Sequence, residues 1–130
     1  MNYKRFGKKN DIVWVESTEQ LISDSRSALD LIMTVRYETG LDKIILDKRC
    51  IAGDFFVLST GLAGEILQKF VNYHVKAAIF GDFSGYTSKP LRDFIRESNR
   101  GKNIFFTATL EEAAQKLEGA EAGGVSPAGN

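Results

Sequence analysis

The sequence predicts an α/β domain with a four- or five-stranded, mostly parallel sheet and helices on both faces. Short β-branched runs alternate with longer segments of helical period, which is typical of repeated strand-helix units. The chain has 130 residues, 43% of them hydrophobic, which suits a single core. The apolar period stops near Glu118, so we assign residues 1–118 to the domain and the small, Gly-rich residues 119–130 to a disordered tail.

The first part of the chain predicts an edge hairpin, a helix and a central strand. Residues 2–6 and 12–16 have the composition of strands and enclose a polar turn. Residues 23–38 carry apolar side chains at helical spacing, and Gly40 stands where that helix would stop. Residues 43–47 are a compact apolar run, too short for a helix, which predicts a central strand covered on both faces.

The second part of the chain predicts a helix, a strand, a third helix, a last strand and a final helix. Residues 60–73 carry an apolar stripe on one side, and residues 75–80 follow as a strand. Ser88 is a good N-cap for a third helix that reaches about residue 99. Residues 103–106 predict the last strand, and a capping box at Thr109 precedes a short final helix.

The charge balance and the cysteine count exclude several kinds of partner and site. Seventeen Lys and Arg residues balance seventeen Asp and Glu residues, so no overall field attracts nucleic acid. No run approaches the roughly 18 apolar residues that a membrane span needs. A single Cys and a single His exclude an internal disulfide and a zinc site of the usual four ligands. We therefore expect a cytoplasmic protein without nucleic-acid or membrane partners, and without metal or cofactor.

In a parallel α/β sheet, the functional loops follow the carboxyl ends of the strands. Here those loops contribute Asp47 and the segment that starts at Asp82. Ser88, Lys89 and Arg92 place a hydroxyl group and two cations at a helix start, a pattern that suits a small anion. The alternative interpretation is an ordinary capped helix with cations on its surface.

The remaining chemically capable residues predict no catalysis. Arg92, Arg96 and Arg100 form a basic line on the third helix, with Asp93 and Glu97 beside it, which is typical of a solvated face. His74 is interpreted as a partly buried residue at a helix C-terminus, and Cys50 as a plain semi-buried cysteine. A phosphoryl-accepting receiver domain is disfavoured because no acidic pair follows the first strand. The sequence therefore favours a binding role over an enzyme.

Residues 59–64 combine two hydroxyl groups with two glycines at the start of the second helix. Glycine costs about 1 kcal/mol relative to alanine inside a helix, so its presence predicts a need for backbone access. The ordinary explanation is that Ser59 or Thr60 caps the helix and that the glycines permit close packing.

Two family resemblances rest on particular stretches of the sequence. Residues 44–47 (IILD) followed by residues 59–62 (STGL) resemble the strand and the D-S-S-G-L-G motif of STAS domains, the fold of bacterial anti-sigma factor antagonists. That resemblance implies a phosphorylated hydroxyl at Thr60, with Ser59 the less favoured acceptor, and a partner surface that includes Gly61.

Over nearly the whole domain, the chain resembles the bacterial domain-of-unknown-function 4180 family, through residues 28–40, 59–74 and 81–99. That resemblance implies no activity.

Two functions follow as hypotheses. The first is a small regulatory or protein-binding module, a STAS-like switch acting through an unknown protein partner. The alternative is an enzyme or small-anion-binding domain that uses the loops at the carboxyl ends of the strands. A concave polar pocket at those loops favours the alternative, whereas an exposed apolar patch beside Thr60 favours partner binding. A homodimer is compatible with both hypotheses.

Overall fold

The structure, a computed structural model, describes residues 1–125 and contains five strands and four α-helices within them. The strands are β1 (Asn2–Phe6), β2 (Ile12–Glu16), β3 (Lys43–Asp47), β4 (Lys76–Phe80) and β5 (Ile104–Thr107). The helices are α1 (Ser25–Thr39), α2 (Leu62–Asn72), α3 (Lys89–Arg100) and α4 (Leu110–Val125). Short 3₁₀ helices at Lys48–Cys50, Gly53–Phe56 and Leu58–Thr60 connect β3 to α2.

The strands lie in the sheet in the order in which they occur in the chain. β1 pairs antiparallel with β2, and the remaining neighbours pair in parallel. Because crossovers of one hand place their helices on the same face of such a sheet, α1, α2 and α3 share one face. α4 covers the other face. The predicted α/β fold, with an edge hairpin and helices on both faces, is confirmed.

The central strand β3 contributes to both cores of the domain. Ile44 and Leu46 point into the larger core beneath α1, α2 and α3. Ile45 points into the smaller core beneath α4, where it joins Phe105 and Leu117. This alternation explains why the strand reads as a continuous apolar run, since neither of its faces meets water.

The last helix is longer than the sequence predicts. α4 continues past residue 118 to Val125, although three of these seven residues are glycines, which are poor helix formers. Glu118 holds it to the β1–β2 turn, because one carboxylate oxygen accepts a hydrogen bond from the Lys8 N–H at 2.7 Å. Residues 126–130 of the predicted tail lie outside the described residues, so disorder there stays a prediction.

His74 ends α2 in an exposed, left-handed conformation with φ +58°. Its N–H donates to Val71 O at 3.2 Å, and the Val75 N–H donates to Phe70 O at 2.8 Å. Such a pair of bonds closes a helix at a position that usually holds glycine. The position at the helix C-terminus is as predicted, but the partial burial is wrong, because the left-handed turn directs the side chain outward.

Within the described chain, no helix combines the length and the apolar character that crossing a membrane requires.

Candidate functional site

The carboxyl ends of β3 and β4 lie side by side and carry the two predicted acidic residues. Asp47 ends β3 and stands opposite Phe80, the last residue of β4, in the parallel register. Asp82 follows two residues later, so both carboxylates are at the same edge of the sheet. The structure therefore brings these two acidic residues to the same edge of the sheet.

A cluster of aromatic rings holds the loop between β4 and α3 in place. Phe55 is fully buried and contacts three other rings. Tyr86 stacks on Phe56, with ring centroids 5.0 Å apart and an interplanar angle of 15°. Phe83 packs edge-on against Phe106 at 5.6 Å. The loop is thus anchored both to the 3₁₀ helix at residues 53–56 and to β5.

Lys48 joins the end of β3 to the same loop. Its ammonium group donates to the carbonyl oxygen of Asp82 at 2.7 Å and lies 4.5 Å from the centroid of the Tyr86 ring. The stem of Lys48 passes so close to Gly81 that a β-carbon there would lie 2.7 Å from Lys48 Cβ. The close approach explains why glycine follows β4.

Asp47 is held by its neighbour Arg49 in a two-point ion pair. Arg49 Nε and Nη2 lie 3.1 and 2.9 Å from the two carboxylate oxygens, and the Arg49 N–H adds a third hydrogen bond. Burial acts to raise the pKa of Asp47, but the hydrogen bonds and charge of Arg49 outweigh it and lower the pKa. Asp47 is therefore an ionised carboxylate whose oxygens accept their hydrogen bonds from Arg49.

The two acidic residues share a cavity of about 500 Å³, the Asp47 cavity, whose walls include Lys48, Phe56 and Tyr86. Hydrogen bonds from the hydroxyl and N–H groups of Ser84 lower the pKa of Asp82. In the described part of the chain, no three His, Cys, Asp or Glu side chains are arranged to hold a metal ion. The Asp47 cavity thus contains both charge signs, largely paired within the protein.

A second cavity, the Arg92 groove, lies on the other side of Tyr86. It has a volume of about 570 Å³ and is bounded by the loop residues Ser84, Tyr86 and Thr87 and by Arg92 and Arg96 of α3. The two arginines are one helical turn apart and face the same groove. The Arg96 guanidinium pairs with Asp93 at 2.9 Å, whereas the guanidinium of Arg92 has no hydrogen bond or ion pair with any described residue.

The other predicted anion-binding residues are engaged elsewhere. Ser88 caps α3, its hydroxyl accepting a hydrogen bond from the Leu91 N–H at 3.4 Å. The Lys89 ammonium pairs with Asp93 at 2.6 Å. The structure therefore places Asp47 and Asp82 in one cavity and Arg92 in the next, while Ser88 and Lys89 line neither.

Sequence reasoning assigned Arg96, together with Arg92, to a solvated face and gave Tyr86 no role of its own in a site. The four-residue spacing from Arg92 to Arg96 is a signal that both face one side of α3. Nothing in the sequence indicates that the loop folds against that side, because this depends on the stacking of Tyr86 on Phe56.

The start of α2 differs in detail from the predicted cap. Gly61, not Ser59 or Thr60, is the N-cap residue, and its φ of +78° favours glycine. The exposed Thr60 hydroxyl donates to Val57 O at 2.8 Å and accepts from the Leu62 N–H at 3.2 Å. Gly64 is exposed, and an added β-carbon would meet no atom within 4 Å, so close packing does not explain it.

The two glycines are expected to respond to alanine in opposite directions. Gly64→Ala should stabilise the protein by about 0.5 to 1 kcal/mol, because alanine removes the entropic cost of glycine inside a helix. Gly61→Ala should destabilise it by about 1 to 2 kcal/mol, because a β-carbon is strained at positive φ. Urea unfolding of the two variants measures both effects. A stability loss in Gly64→Ala would contradict the open surroundings of that residue.

Cys50 is a structural residue. Its thiol is buried and donates a hydrogen bond to the Ser17 carbonyl oxygen at 3.1 Å. Burial raises the pKa of Cys50 to about 11, so the thiol stays protonated at neutral pH. The prediction of a plain cysteine agrees with this environment, but the predicted partial burial is wrong, because Cys50 is fully buried.

A family model described as "Domain of unknown function (DUF4180)" matches residues 7–117. The match covers most of the chain and confirms the resemblance that three stretches of the sequence carry. No curated protein and no solved structure matches this chain.

Proposed function

The chain belongs to the DUF4180 family, and we propose that it is a binding domain for a small anionic molecule held in the Arg92 groove. The observation that carries this proposal is the uncompensated Arg92 guanidinium, one turn from Arg96, facing the polar loop residues Ser84 and Thr87. Two guanidinium groups present planar sets of donors that suit phosphate, sulfate and carboxylate oxygens.

The two cavities differ in the charge they favour. In the Asp47 cavity, the charges balance, because Arg49 pairs with Asp47 and the positive charge of Lys48 offsets that of the exposed Asp82. In the Arg92 groove, Asp93 is shared by Lys89 and Arg96, which leaves an excess of positive charge around Arg92. An anion is therefore attracted to the Arg92 groove. Its volume of about 570 Å³ is within the range of small-molecule sites.

Anion binding should raise thermal stability in a manner that depends on the two arginines. Titration of the full chain with phosphate, sulfate or a nucleotide should add about 2.7 kcal/mol at 100 times the dissociation constant. We expect this protection to be lost in an Arg92→Ala, Arg96→Ala variant and retained in Arg26→Ala, which removes an exposed cation from α1. Equal protection of all three proteins would reject the groove as the site.

A second function rests on the start of α2. Thr60 exposes its hydroxyl beside Val57, which is 49% exposed, and thus combines a modifiable group with an apolar surface. We infer a STAS-like regulatory role in which phosphorylation of Thr60 weakens the binding of a cytoplasmic protein partner. A phosphate would bring about −1.5 to −2 charges into a neutral contact, and the dianion resists burial. The sequential order of the parallel strands is compatible with the STAS resemblance.

The Thr60 switch can be tested separately from anion binding. Mass spectrometry of the protein from its native host should find phosphate on Thr60, with Ser59 as the minor acceptor. Pull-downs should recover the partner with wild type and Thr60→Ala, and much less of it with Thr60→Glu. If Thr60 is unmodified under all growth conditions and the three proteins recover the partner equally, the switch is rejected. Thr60 then has only a structural role, through its hydrogen bonds.

A further inference from the structure

The strand β5 forms an outer edge of the sheet, and a groove runs along it. The groove, here the β5 groove, has a volume of about 570 Å³ and lies between the end of α3, the strand and α4. Phe105 contributes apolar surface to its wall. It is separate from both cavities at the carboxyl-end loops, sharing only Asn99 with the Arg92 groove.

The β5 groove is positively charged. Arg100, Lys102 and Lys116 line it, and Glu112 contributes the one carboxylate among the lining residues that the structure describes. One oxygen of that carboxylate accepts hydrogen bonds from the Ala108 N–H and the Thr109 hydroxyl, at the start of α4. None of the three cations forms an ion pair with a described residue. Among the described lining residues, the groove therefore carries an excess of positive charge.

The side-chain amide of Asn99 is hydrogen-bonded to the outer edge of β5 in the way that a peptide unit of a neighbouring strand would be. The Asn99 side-chain oxygen accepts a hydrogen bond from the Phe106 N–H at 2.7 Å, and its nitrogen donates to Phe106 O at 3.1 Å. A primary amide has the same donor and acceptor types as a peptide unit. The main-chain groups of Ile104 point to the same side as those of Phe106, because alternate residues of a strand face the same neighbour. Asn99 takes the groups of Phe106, so the edge offers main-chain hydrogen bonding at Ile104, which lines an adjoining cavity together with Lys102.

We propose that the β5 groove binds an extended, acidic peptide segment of a partner protein. Carboxylates of the segment pair with Lys102, Lys116 and Arg100, and its backbone adds to the β5 edge beside Ile104. A peptide can use both the main-chain groups at the β5 edge and the three cations, whereas a small inorganic anion would use only the cations. This interaction goes beyond the proposed small-anion function, since it uses neither Arg92 nor Arg96.

The proposal is tested with a fluorescent peptide of alternating Glu and Val residues, added to the full chain. We expect saturable binding that weakens by about tenfold or more in a Lys102→Ala, Lys116→Ala variant. The control is Lys8→Ala, Arg26→Ala, which removes two exposed positive charges elsewhere and should change affinity by less than about twofold. Amide exchange followed by NMR should show that the bound peptide slows exchange of the Ile104 N–H.

Three results would overturn the proposal. The first is an absence of saturable binding. The second is an equal loss in the control variant, which would show non-specific attraction. The third is competition by inorganic phosphate at the same affinity as the peptide, without slowed exchange at Ile104, which would make the β5 groove a simple anion site.

Discussion

Replacing Phe55 with alanine should destabilise the protein by about 3 to 5 kcal/mol, the range found for large aromatic side chains removed from a core. Phe55 is fully buried and contacts Phe56, Phe94 and Phe106, so its loss leaves a cavity that several rings would have to refill. Because Phe56 supports Tyr86, the loop that borders the Arg92 groove should loosen as well. Chemical unfolding, with the midpoint and slope measured together, quantifies the loss.

Phe94 provides a matched control for Phe55. It belongs to the same cluster but is only partly buried, and its ring lies 6.4 Å from that of Phe55. Phe94→Ala should therefore lower the free energy of unfolding clearly less than Phe55→Ala does. A loss below about 1 kcal/mol in Phe55→Ala, or an equal loss in both variants, would show that the cluster does not organise this part of the core.

Gly81→Ala should cost about 1 to 3 kcal/mol, as overpacked sites do. The added β-carbon would lie 2.7 Å from Lys48 Cβ, the first atom of that side chain, which cannot swing away without moving the backbone. Either β3 or the loop must shift, so binding in the Arg92 groove should weaken together with stability. Thermal unfolding and anion titration of the same variant measure the two effects.

The same loop supplies the control for Gly81. At Gly85 an added β-carbon would meet no atom within 4 Å, and Gly85→Ala should stay within about 0.5 kcal/mol of wild type. A Lys48→Gly substitution removes the atom that an added β-carbon at Gly81 would meet. The double variant Lys48→Gly, Gly81→Ala should therefore lose less unfolding free energy than the sum of the two single variants. Strict additivity would contradict the steric explanation.

The regular elements could be predicted because each carries its own local signal. Residues 44–46, at the centre of the run at 43–47, are all apolar, and the structure places this run as the central strand with both faces covered. The Ser88 cap was predictable for the same reason, since the capping hydroxyl and the helix it caps are adjacent in sequence.

The segment between β3 and α2 was not predictable in the same way. It forms three short 3₁₀ helices among the described residues, which are too brief to produce a periodic pattern. Gly61 was missed as N-cap because it contributes a left-handed backbone rather than a capping side chain.

The candidate site depends on contacts that are distant in sequence. Arg92 was predicted from its position at a helix start, whereas the groove also requires Tyr86, which is held by stacking on Phe56. Lys89 was predicted on the same grounds, yet the geometry of α3 pairs it with Asp93. One-dimensional spacing does not distinguish a cation that is paired on its own helix from one that faces a loop.

The most direct test of the central claim is an NMR titration of the full chain with inorganic phosphate, following backbone amides and the arginine Nε–H groups. Binding in the Arg92 groove predicts saturable shifts at Ser84, Thr87 and the side chains of Arg92 and Arg96, and their loss in Arg92→Ala. Unchanged signals at these four residues, or weak non-saturating shifts spread over all exposed cations, would contradict the proposal that this domain binds a small anion there.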